Sequence, residues 1–77
     1  MKHTPKGQKI LIEFGKKVKL ERENLGLSQE KLAEKAGVHR TYIGMIERAE
    51  KNISLLSIQK LSNALGISLR ELFREIQ

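Results

Sequence analysis

The sequence predicts an all-α domain of five short helices, with a bent helix pair at its centre. Three observations carry this reading. Apolar residues recur at helical rather than alternating spacing along most of the chain. Gly26, Gly37 and Gly66 each follow such a stretch, where helices are commonly capped at their C-termini. Ser28 and Ser68 each stand just ahead of one, where a hydroxyl can accept a first-turn N–H. Strand alternation is confined to residues 52–56, which is too short to count, and there is no internal repeat or low-complexity tract.

Taken in order, residues 1–9 are expected to form a flexible basic arm punctuated by Thr4, Pro5 and Gly7, and residues 10–77 the folded domain. The first helix opens at Ile10. Ile10, Phe14, Val18 and Leu25 share a stripe with Leu11 beside it, and Gly26 ends the helix. Leu20 lies off the stripe and either packs on a neighbour or faces solvent. Ser28 caps the second helix, Glu30 suits the positive end of its dipole, and Leu32, Ala33 and Ala36 form its inner face. Gly37 stops it. A third helix runs from about His39 to Arg48 with Ile43 and Ile46 inward, followed by a polar loop over residues 49–53. Ser54 or Ser57 caps a fourth helix that buries Ile58, Leu61 and Leu65 and ends at Gly66. Ser68 with Glu71 three residues on is a capping box for the last helix, whose apolar side is Leu69, Leu72, Phe73 and Ile76.

Composition narrows the function. A chain of 77 residues and 8.8 kDa is a single small domain, with little room for both a core and a walled pocket. There is no Cys, which rules out disulfides and thiolate zinc sites, and His3 and His39 are too far apart to suggest a metal. No nucleophile–base–orienter set or phosphate-cradling glycine loop is present, so neither an enzyme nor a cofactor is expected. No apolar run approaches a membrane span and no apolar stretch follows the basic N-terminus, so the expected location is cytoplasmic and no membrane partner is expected. The net charge is +6, and residues 1–22 hold seven Lys/Arg against two Glu, +5 of that total. Such a local excess suits a polyanion, most commonly nucleic acid; the alternative is a solvated tail that keeps the chain soluble.

The informative segment is QEKLAEKAGVHRTYIGMIER, residues 29–48. Ala33 is small where two helices must approach, and Gly37 sits at the bend, where a positive φ is needed. Val38, Ile43 and Ile46 fold the following helix back on the first. Two helices joined at a steep angle by a short turn form a helix-turn-helix, which presents the outer face of its second helix to the DNA major groove. An ordinary helical hairpin is the alternative.

From about Phe14 to Phe73 the chain resembles the lambda-repressor-like helix-turn-helix domains of phage repressors and related bacterial regulators. LSQEKLAEKAGV and ALGISLREL carry this likeness. HRTYIGMIER followed by KNISL is similar, more narrowly, to the controller proteins of restriction–modification systems. Gly44 and Lys51 depart from that pattern, in which Ser and Arg are commoner. Arg40 and Thr41 open the recognition helix and point outward, and the resemblance implies the same positions for base readout: Arg suits guanine, and Thr can bond or touch a thymine methyl. Met45, one turn on, is a candidate for apolar base contact or an exposed methionine. For the DNA backbone the candidates are Gln29, His39, Tyr42, Arg48, Lys51 and Asn52. His39 is also a candidate N-cap, and Tyr42 either reaches a phosphate, positions Arg40, or packs on the first helix. The resemblance further implies that Arg22 and Glu47 form a buried structural pair.

A two-fold dimer reads two half-sites about 34 Å apart. The dimer surface is expected on the last two helices, from among Leu55, Leu56, Ile67, Leu69, Phe73 and Ile76, unless these only close the monomer core. The expected function is a dimeric, sequence-specific transcriptional regulator on a double-stranded operator, a controller of restriction–modification genes, with RNA polymerase a further partner if it activates. A phage-type repressor, an autoregulating antitoxin and a protein–protein adaptor are the alternatives.

Overall fold

A computed structural model describes residues 8–76 of the chain. Five helices follow one another: α1 Lys9–Asn24, α2 Gln29–Ala36, α3 Arg40–Glu47, α4 Leu55–Leu65 and α5 Leu69–Leu72. There is no strand among the described residues. Most of the expected arm, residues 1–7, lies outside them. Its last residue is corrected: Lys9 is helical. The first turn closes through Ile12 N–H on the Gln8 carbonyl (2.9 Å), with Lys9 and Glu13 3.7 Å apart one turn on.

α3 is the hub. It packs on both α1 and α2, α4 packs on α2, and α5 bridges α4 and α1. The core is Phe14 and Val18 from α1, Leu32, Ala33 and Ala36 from α2, Ile43 and Ile46 from α3, Leu61 and Leu65 from α4, and Leu72 from α5. The first-helix stripe is narrower than its periodicity suggests. Ile10 and Leu25, at its two ends, are 50% and 51% exposed. Leu20 faces solvent.

The caps explain the boundaries. Ser28, Ser54 and Ser68 hydroxyls accept from the N–H of Lys31, Ser57 and Glu71. Ser54, not Ser57, therefore caps α4. At the bend of the helix pair, Gly37 adopts φ +73 while Val38 N–H closes on the Ala33 carbonyl at 3.0 Å, the six-to-one bond of a Schellman turn. α3 ends in the same way with no glycine: Ala49 takes φ +61, and Glu50 N–H bonds the Met45 carbonyl at 2.8 Å.

The last helix is shorter than expected, four residues, with Phe73 to Glu75 in a turn and Ile76 beyond it. Glu71 does not reach back to complete a capping box. Its carboxylate pairs with Lys17 of α1 at 3.2 Å and with Arg74 at 3.4 Å. Burial alone would lower the pKa of the Lys17 ammonium, but hydrogen bonds to Glu71 and Glu21 outweigh it and hold the pKa above its ordinary value. Ile67, Phe73 and Ile76 pack against the monomer's own core, and Phe73 stacks on Phe14 with ring centroids 5.2 Å apart. All three are half-buried, as expected of residues that close the monomer core.

Candidate nucleic-acid interface

The outer face of α3 is built by helical geometry. Ile43 and Ile46 are fully buried, so residues 40, 41, 45 and 48 fall away from the core, with Gly44 among them but covered by the Arg48 and Gln29 side chains. His39 precedes the helix in an extended conformation, and its Nδ1 accepts the Thr41 N–H at 3.1 Å. That cap occupies Nδ1 and leaves Nε2 for another partner. Arg40 and Thr41 follow, both exposed, and Met45 is half-buried one turn on. Tyr42 is half-buried against the core, which favours its packing role.

Under this face lies an ion-pair network. Arg22 Nε donates to Glu47 Oε2 at 2.7 Å, and its second nitrogen donates to Oε1 at 3.1 Å. The third guanidinium nitrogen donates to the Leu27 carbonyl at 2.7 Å. Glu47 is 3% exposed and Arg22 11%. The Glu47 hydrogen bond raises the Arg22 guanidinium above its already high pKa, against the opposing effect of burial. Gln29 is part of this network: its Nε2 donates to Glu47 Oε1 at 3.0 Å. One of its two amide protons is therefore committed inside the protein. Lys51 and Asn52 stand exposed in the loop after α3, and Arg48 is exposed with its guanidinium paired to Glu50 at 3.1 Å and 3.3 Å.

Two features of the site escaped the sequence reading. Gly15 sits at the crossing of α1 and α3, where a β-carbon would lie 2.5 Å from the Ile46 carbonyl oxygen. A glycine inside a periodic helix is the signal that could have found it. Glu50 carried no signal, because its meeting with Arg48 depends on the left-handed Ala49 between them.

A helix pair of this geometry on a chain of net charge +6, with a capped second helix presenting Arg and Thr, defines a helix-turn-helix DNA-binding domain. The helix-turn-helix family profile matches residues 18–72, and the chain belongs to this family, within its lambda-repressor-like branch of transcription regulators. It is 45% identical over 69 residues to the control protein C.MunI of a Mycoplasma species, spanning 88% of this chain and 93% of that protein. Its structure is similar to that of the restriction–modification controller protein C.AhdI from Aeromonas hydrophila, with TM-score 0.80 and 48% identity over 82% of this chain and 96% of the other. It is also similar to SinR, a master regulator for biofilm formation solved in complex with DNA, with TM-score 0.74 and 38% identity over 78% of this chain and 97% of that one. Among the described residues no helix is long and apolar enough to cross a membrane.

Proposed function

We propose that this chain is a cytoplasmic, nucleoid-associated controller of restriction–modification gene expression, binding as a dimer to palindromic operator half-sites through the major groove. The observation that carries this is the solvent-facing pair Arg40 and Thr41 at the capped start of α3, on a rigid helix pair. Arg40 reads guanine, Thr41 a neighbouring base, and Met45 touches the groove apolarly. His39 Nε2, the free amide proton of Gln29, the first N–H groups of α2, Lys51 and Asn52 clasp the backbone on either side. RNA polymerase is a further partner if the protein activates.

Selection from random duplexes at near-physiological salt tests this. The expected result is a two-fold motif with half-sites about one helical turn apart. Salt-sensitive binding with no enriched motif would favour an adaptor that uses DNA only for attachment. On the selected operator, Arg40→Ala should cost about 1–3 kcal/mol per half-site and relax one base position, while Lys51→Ala weakens all duplexes evenly and lowers the salt slope. Equal behaviour of the two variants would sink the division between base and backbone contacts.

Dimerisation is assigned to Leu55, Leu56 and Leu69, which are 74%, 70% and 38% exposed. Apolar surface held in water on so small a domain is the driving force for self-association. Leu56→Lys should give a folded monomer by sedimentation, with operator affinity reduced far more than affinity for one half-site. A dimer that survived this change would move the interface elsewhere.

A further inference from the structure

Arg48 stands one residue past the end of α3, which by sequence position makes it a backbone contact, and its side chain turns back along the helix. The guanidinium lies back over Gly44: a β-carbon built on that glycine would come within 3.0 Å of Arg48 Nη1 and 3.7 Å of its Cζ. Gly44 is buried, although it lies on the helix's outer face, and Arg48 and Gln29 are the side chains that approach it. Side chains on a helix lean toward its N-terminus, and four residues of helix span about 6 Å. The charge of Arg48 is thereby carried about one turn back, to the level of Gly44.

Two further features hold it there. The Glu50 carboxylate accepts both Nε and one terminal nitrogen of Arg48, at 3.1 Å and 3.3 Å, which fixes the plane of the guanidinium. Glu50 reaches Arg48 because Ala49 takes a left-handed φ of +61, a conformation that a residue with a β-carbon rarely adopts, and the chain doubles back. A phosphate-binding arginine has no need of a carboxylate, which repels the backbone it should approach. A base-reading arginine gains from one, because a fork with its Nε edge occupied presents its terminal nitrogens to the O6 and N7 acceptors of guanine.

We infer that Arg48, laid across Gly44 and oriented by Glu50, is a specificity-determining residue that reads a second guanine in each half-site. The inference rests on the DNA-reading function proposed above. It also gives a physical role to Gly44: a β-carbon there would come within 3.0 Å of Arg48 Nη1, so the guanidinium must shift.

The test is selection from random duplexes with the full chain and with Arg48→Ala, Gly44→Ala and Glu50→Gln, each checked by circular dichroism. Gly44→Ala keeps the fold, since alanine favours the helix and its methyl meets the ends of two side chains, Arg48 closely and Gln29 at ordinary contact distance. The parent should enrich one more guanine per half-site than Arg40→Ala does, and Arg48→Ala should lose a different guanine. Discrimination at that base pair should fall about tenfold to a hundredfold. Gly44→Ala should weaken the same position without lowering the melting temperature, and Glu50→Gln should weaken it while raising affinity for unrelated DNA. If Arg48→Ala binds every duplex more weakly but keeps the parental motif, Arg48 is a phosphate contact and the inference fails alone. If the parent enriches no motif, the DNA-reading function fails and the inference with it.

Discussion

Glu47→Ala should remove about 3–5 kcal/mol of folding stability, most of what a domain of this size possesses. The carboxylate is 3% exposed and takes three hydrogen bonds, two from Arg22 and one from Gln29. Without it the Arg22 guanidinium, 11% exposed, keeps the Leu27 carbonyl and a 4.0 Å approach to Glu23. The loss is therefore that of an uncompensated buried charge rather than of one contact. Urea denaturation measures it. The double variant Arg22→Met/Glu47→Leu should recover much of the loss, because apolar residues of similar volume often replace a buried pair without penalty. A double variant no more stable than Glu47→Ala would show that the hydrogen bonds, not the stranded charge, matter. DNA binding by Glu47→Ala should fall only as the folded fraction falls.

Gly15→Ala should destabilise by about 2–3 kcal/mol even though alanine is the better helix former by about 1 kcal/mol. Its β-carbon would meet the Ile46 and Glu47 carbonyl oxygens at 2.5 Å and 3.0 Å. Those are backbone atoms of the recognition helix, so α1 and α3 must separate, and the Arg22 to Glu47 geometry opens with them. Gly44→Ala supplies the contrast within the same protein, since the nearest atom there belongs to a flexible side chain. Thermal melting should place Gly15→Ala well below the parent and Gly44→Ala at or above it. A Gly15 variant as stable as the parent would mean that the helix crossing has slack the structure does not display.

Much of this architecture was legible in the chain because local rules specify it. Serines with a free first turn behind them became N-caps, and the inward sets of α2 and α3 follow directly from a period of 3.6 residues. The reading weakened where neighbours decide. Periodicity marks Ile10 and Leu25 as inward, yet both are half-exposed. A capping box was expected at Ser68, but Glu71 found a stronger partner in Lys17, 54 residues away.

The sequence by itself determined the five-helix order, the bend at Gly37 and the outward placement of Arg40 and Thr41, since caps, turns and helical period act over a few residues. The tertiary structure alone decided which of the late apolar residues close the core and which leucines stay exposed. It also decided that Gly15 is a point of contact between helices and that Gln29 is tied to Glu47. The direction of Arg48 belongs with these: it depends on the space left by Gly44 and on a carboxylate brought round by the left-handed turn at Ala49. Such relations depend on which surfaces meet after folding, and no spacing along the chain encodes them.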